Sequence, residues 1–236
     1  MSKVGHDSGS EFHLQRLLKY HRPMLDWNVG TAVDGEVRGW LDAPPVKSET
    51  NHVSSEWKAL EFLASYASAD AVSSKAIRDW RTFWPQTGNA QRWDAVGRVR
   101  VGGEDSWLLV EAKSHVREIK AACRAGEKSA PVIASALDIT KRSLGISAER
   151  DWMQPYYQFC NRLAVLDFLA RHGVSARLLF IYFLGDKFPA GRSVNCPVEA
   201  AGWQPGLAAM YEHVGWNDQN PLFSRVHSLF LQVEGQ

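Results

Sequence analysis

A strand–turn–strand unit between Arg92 and Ser114 constrains this chain more than any other stretch. Over Arg92–Val101, Trp93, Ala95, Gly97 and Val99 alternate with Asp94, Val96, Arg98 and Arg100, which is the period of a strand. Gly102-Gly103-Glu104-Asp105 has the residue types of a hairpin turn. Ser106–Ser114 reads as the returning strand, and its run Trp107-Leu108-Leu109-Val110 reads as buried. A strand of that kind needs neighbours and cover, so the rest of the chain must supply helices.

It does. Ser55–Ser68 reads as a helix capped by Ser54 or Ser55, with Trp57, Leu60, Leu63 and Ala64 on one stripe. Ala71–Phe83 reads as a second short helix, carrying Ile77 and Trp80, with Trp84 just beyond. Val116–Ala125 reads as a helix start. Gly126–Ser147 is less periodic and reads as an insertion with a short helix near Val132–Leu137. In Gln154–His172, Phe159, Leu163, Leu166 and Leu169 recur at helical spacing, and Gly173 stops the helix. Arg177–Leu184 is an apolar strand, Pro205–Val214 a helix, and Arg225–Val233 fits strand or helix. Residues 1–54 read as an arm or cap, irregular apart from a helix over Glu11–Tyr20. Residues 55–236 then form one α/β domain, ordered as a sandwich rather than a doubly wound sheet.

Composition narrows the function classes. A chain of 236 residues with 45% hydrophobic and 22% charged residues can bury a core without staples. Net charge is +1, so binding to a polyanion needs a local basic stripe. Cys123, Cys160 and Cys196 form no CxxC pair, which argues against a disulfide framework or a zinc site and fits a reducing cytoplasm. The eight histidines show no HExxH spacing. The first residues lack the apolar core of a signal peptide, and no apolar run reaches the length of a membrane span.

The hairpin also places charge. With Val101 and Glu104 flanking the turn, Asp94 falls opposite Glu111, with Cβ atoms about 5 Å apart unless a bulge shifts the register. Glu111 and Lys113, two residues apart, share a face. Two facing carboxylates repel unless a cation bridges them, and magnesium takes one or two carboxylates plus waters and phosphate oxygens. The Ala112 carbonyl is a further candidate ligand. Lys113 stands where it can orient or deprotonate an attacking water and balance phosphate charge.

The pattern Trp93-Asp94 … Val110-Glu111-Ala112-Lys113 resembles the PD-(D/E)xK nuclease superfamily, which includes restriction endonucleases and Holliday-junction resolvases. Trp93 stands where that family has a proline. The resemblance covers roughly Ser55–Leu184 and implies a restriction-endonuclease-like core, a central mixed β-sheet flanked by helices in α-β-β-α-β order. It implies that Asp94 and Glu111 bind magnesium or manganese and that Lys113 is the catalytic lysine. It implies a metal-dependent nuclease that hydrolyses phosphodiester bonds of nucleic acid, with DNA as the expected substrate. Many members add a glutamate from the preceding helix; Glu56 and Glu61 are the candidates, Glu56 the better placed. Some add Gln or Tyr from the following helix, where Gln158 and Tyr157 lie beside Asn161 and Arg162. Restriction-type members often form homodimers, although no dimer element is legible in this sequence.

Blander readings stand beside these. Asp94, Glu111 and Lys113 also suit a surface ion-pair cluster, Glu56 a helix-dipole residue, Gln158 a solvated position and Tyr157 a packing residue. His115 is a phosphate contact or simply a residue leaving the strand. Lys113, His115, Arg117, Lys120, Arg124 and Lys128, with Arg98 and Arg100, form a basic groove or an ordinary solvated face. Trp80, Trp84 and Trp93 stack on bases or fill the core. The alternative function is a catalytically silent nucleic-acid-binding or interaction module on the same fold; a weaker one is a structural or partner-binding protein.

Overall fold

The hairpin forms in the predicted register. Strand β4 (Ala95–Val101) pairs antiparallel with β5 (Glu104–Lys113), from Val101 opposite Glu104 to Ala95 opposite Val110. Gly102 and Gly103 both have positive φ, 58° and 85°, as a two-residue type I′ turn requires. The computed structural model describes residues 8–42, 57–64, 71–86, 91–187 and 196–233.

The hairpin sits inside a five-stranded mixed sheet of order β1-β4-β5-β6-β7. Here β1 is Glu36–Trp40, β6 is Ala176–Leu184 and β7 is Val226–Gln232. β1 runs antiparallel to β4, whereas β5, β6 and β7 are mutually parallel. The fold is thus α/β with a mixed central sheet flanked by helices.

Both faces of β5 are covered: the helices that connect its parallel neighbours land on one face, and two N-terminal helices cover the other. On one face Leu108, Val110 and Ala112 pack with Leu179, Ile181 and Phe183 against Leu14, Leu17, Leu25, Val29 and Val33. Those last five come from α1 (Ser10–Tyr20) and α2 (Arg22–Val33). On the other face Trp107, Leu109, Phe180 and Tyr182 pack into a larger core. That core is completed by α4 (Ala71–Phe83), α5 (Ala130–Ser143), α6 (Tyr157–Arg171) and α7 (Gln204–Val214). Each such side chain contributes about 1.5–3 kcal/mol on burial. Among the described residues, no helix is long and apolar enough to cross a membrane.

The N-terminal residues do more than the sequence suggests. Beyond the expected helix, Arg22–Val33 is a second helix and Glu36–Trp40 an edge strand, so residues 10–33 supply a helical layer and residues 36–40 an edge of the sheet. Leu25, Val29 and Val33 recur every fourth residue, a thin stripe beside Gly30 and Thr31 that is easily taken for irregular chain. His13 Nε2 lies 2.8 Å from Asp186 Oδ1, and the Gly9 amide donates to Asp186 Oδ2, which ties this layer to the end of β6. The expected boundary at residues 54 and 55 lies outside the described residues.

Other expectations change. Within Ser55–Ser68, the described part is a two-residue strand β2 (Trp57–Lys58) and a short helix α3 (Glu61–Ala64), not one helix. Trp57 faces Trp93 across β2 and β3 (Arg92–Trp93), and this long-range pairing overrides the local helical stripe. Val116–Ala125 is a single 3-10 turn, Val116–Ile119, followed by extended chain. That chain lies along residues 153–157: the Ala121 amide donates to Pro155 and the Cys123 amide to Met153. The insertion contains a full helix, α5, and the C-terminal segment resolves as strand β7. Helix α6 begins at Tyr157, three residues after the expected start, and ends at Arg171; Gly173 follows the cap, with Gly173 N–H bonded to Ala170 and Val174 N–H to Leu169, a Schellman motif.

Candidate active site

The site lies at the C-terminal end of β5, beneath the first turns of α6. Strand alternation sends Glu111 and Lys113 to the α6 side, and Gln158 and Arg162, one helical turn apart, face them from above. Lys113 Nζ donates to Glu111 Oε1 and, at 3.0 Å, to Gln158 Oε1. Gln158 Nε2 donates to the same Glu111 oxygen. Arg162 donates to Glu111 Oε2 twice, from Nε at 2.9 Å and from Nη2 at 2.7 Å. A carboxylate offers about four acceptor positions, and these four donors fill them.

Asp94 reaches the site by a route that strand alternation does not describe. Its amide donates to the Val110 carbonyl, the residue that Ala95 faces, so Asp94 is an extra residue at the end of the ladder. The facing pattern agrees: Trp93 and Val96, three apart, both enter the α6-side core, while Ala95 enters the other. The expected direct pairing of Asp94 with Glu111 is therefore replaced by a bulge. The Asp94 carboxylate turns toward β5, where Oδ2 accepts from the Ala112 amide at 2.7 Å. N–H and C=O of one strand residue leave on the same side, so the Ala112 carbonyl also opens toward Asp94, past the last residue of β4.

The electrostatics follow from burial. The Glu111 side chain is 4% exposed, Arg162 4% and Lys113 11%. Burial pushes the Glu111 carboxyl up, but Arg162 and then Lys113 outweigh it and hold it below its ordinary value. Burial pulls the Lys113 amine down, yet Glu111, Asp94 and Glu118 together hold it above its ordinary value. Asp94 has the opposite balance: burial and then the Glu111 charge push it well above the ordinary carboxylate range, against Lys113, the Ala112 amide and Arg162.

Folded Asp94 thus binds its proton more tightly than the unfolded chain does, so its contribution to stability is full at pH below the unfolded value. That contribution is lost as pH rises through the folded value. Asp94→Asn keeps an acceptor for Ala112 and cannot ionise. In chelator at neutral pH its melting temperature is expected to exceed wild type by about 2–4 °C, converging at acid pH. A variant that melts lower at neutral pH contradicts this balance.

The remaining candidates divide. Glu56 lies outside the described residues, and Glu61 is exposed. Tyr157 is half-buried and packs against the core. Trp80, Trp84 and Trp93 are buried, so they pack the core instead of presenting faces to bases. Trp93 donates to the Ala59 carbonyl and carries the Arg162 guanidinium 4.6 Å above its ring. His115 Nε2 lies 3.2 Å from Glu118 Oε1, and the other Glu118 oxygen accepts from the Ser114 amide. Arg98 lies over Trp107 and Arg100 pairs with Asp105 toward the turn, so neither joins the site. Arg117, Lys120, Arg124 and Lys128 are exposed along the chain that leaves Lys113.

Arg162 is the residue that the sequence reading underrated. Its spacing of four from Gln158 is the signal that places both on one face of α6. Its remaining donors go to Asn161 Oδ1 at 2.8 Å and the Arg92 carbonyl at 2.6 Å.

Asp94, Glu111 and the Ala112 carbonyl are hard oxygen donors of the kind magnesium or manganese takes. The like-charge cost on Asp94 is one that a cation relieves. Among the described residues, no three His, Cys, Asp or Glu side chains group around a common point. No family model, curated protein or solved structure matches this chain.

Proposed function

We propose that this chain is a metal-dependent nuclease that hydrolyses phosphodiester bonds of nucleic acid, DNA foremost, on a restriction-endonuclease-like core. One observation supports the reading: Glu111, Lys113 and Gln158 share hydrogen bonds at the end of β5, and the Asp94 carboxylate accepts from the amide of Ala112, the residue between Glu111 and Lys113. A surface ion-pair cluster needs neither the burial nor the shared partners.

Asp94, Glu111 and the Ala112 carbonyl would hold the magnesium or manganese ion, which supplies an activated water and polarises the phosphate. Lys113, its amine held above its ordinary range, acts as a fixed positive charge and hydrogen-bond donor to phosphate oxygen. Gln158 fixes the Lys113 amine through its carbonyl oxygen and Glu111 through its amide nitrogen. The N-terminal end of α6, with its partial positive charge, adds to the attraction for phosphate. The exposed Arg117, Lys120, Arg124 and Lys128 offer a path for the backbone beyond the site.

A second reading, a silent nucleic-acid-binding module, is favoured by one observation: the Glu111 acceptor positions are already filled by protein donors. Incubation with duplex, branched and single-stranded DNA in magnesium or manganese separates the two. The nuclease reading expects cleavage that chelator abolishes. Salt-sensitive binding without cleavage in any divalent metal establishes the module instead.

A further inference from the structure

We propose that Arg162 is an exchangeable counter-ion: it caps Glu111 until a divalent cation displaces it, and its freed donors then take a substrate phosphate. The inference rests on the metal-dependent reading of Asp94 and Glu111 and concerns how that site is regulated.

Three observations carry it. First, Arg162 alone fills both positions on Glu111 Oε2, whereas Oε1 is shared by Lys113 and Gln158. A cation that reaches Oε2 must replace that one side chain. Second, Arg162 does not depend on Glu111 for its place. Asn161 Oδ1, the Arg92 carbonyl and the Trp93 ring hold the guanidinium from other sides. It can therefore release the carboxylate without leaving the site, and the two donors released form the fork that matches a phosphate. Third, Glu111 already faces two buried cations, Arg162 and Lys113, so the cluster holds no excess of negative charge. A divalent ion would leave this cluster strongly positive, and a phosphate group restores the balance. Metal and phosphate should accordingly bind with positive coupling.

The test is manganese binding, followed by calorimetry and by the loss of the free-ion electron paramagnetic resonance signal, on folded protein without nucleic acid. Arg162→Met removes the cap and is expected to tighten manganese binding by roughly 10-fold or more, since the ion no longer competes with a buried cation. Arg162→Lys keeps a charge but loses the two-donor contact, and should tighten binding less; it serves if the Met variant does not fold. Millimolar guanidinium added to Arg162→Met should weaken manganese binding again, which loss of packing alone does not predict. Inorganic phosphate should tighten manganese binding in wild type and lose that effect in Arg162→Met.

Wild type that binds manganese through Asp94 as tightly as both variants overturns the counter-ion role and leaves the nuclease reading standing. Tightened binding that survives Asp94→Asn in the Arg162→Met background places the ion elsewhere and also overturns it. No manganese binding in any form removes both this inference and the metal-dependent reading.

Discussion

Glu111→Ala is expected to destabilise the fold by about 3–5 kcal/mol and to lower its melting temperature by roughly 10 °C. The reason is the company that Glu111 keeps. Its carboxylate is the shared partner of Lys113, Gln158 and Arg162, and it is buried with them. Truncation leaves two cations in a low-dielectric setting with Asp94 as the nearest acid. Asp94 is itself pushed toward its neutral form, so it compensates poorly. The intact network need not be worth that much, because forming it also cost desolvation of each ion. A double-mutant cycle tells the two quantities apart: Glu111→Met with Arg162→Met should cost less than the sum of the singles. Denaturant unfolding followed by circular dichroism gives the numbers. A loss under about 1 kcal/mol for Glu111→Ala is what a solvated surface pair gives, and would contradict the burial of this cluster.

Lys113→Ala is expected to lower metal-dependent cleavage by about a thousand-fold while the fold survives. The amine is a poised charge beside the proposed metal site, and removing one such donor from a water-excluded site costs two to three orders of magnitude. Survival of the fold follows from redundancy, since Arg162 and Gln158 still hold Glu111 after the amine is gone. Lys113→Arg should not restore the rate, because Gln158 Oε1 and Glu111 Oε1 form a pocket fitted to a single nitrogen. The measurement is cleavage rate at saturating magnesium, with the far-ultraviolet spectrum as the control for folding. Undiminished cleavage in Lys113→Ala ends the assignment of that residue.

What the sequence determined alone was local. Two glycines bracketed by Val101 and Glu104 specify a tight turn, and strand alternation then carries the register back to Ala95 and Val110. An apolar run of four before Glu111 specifies a strand covered on both faces, and leucines at helical spacing before Gly173 specify α6 and its end. The shared face of Glu111 and Lys113 followed from the same two-residue period.

Tertiary structure decided what depends on a distant partner. Asp94 leaves the ladder in a bulge, which no period reveals, and so meets the Ala112 amide rather than standing squarely opposite Glu111. Residues 120–125 extend because 153–157 offer them hydrogen bonds, and Trp57 enters a strand because Trp93 faces it. The layer built by α1 and α2 gains its stability from Leu108, Val110 and Ile181, residues 70 or more positions away in the chain. Arg162 became part of the site only when α6 settled over β5, since a cation on a helix has no stated partner until the sheet beneath it supplies a buried carboxylate. Periodicity records which way a side chain points from its own element; what it meets there is set by the packing of elements far apart in sequence.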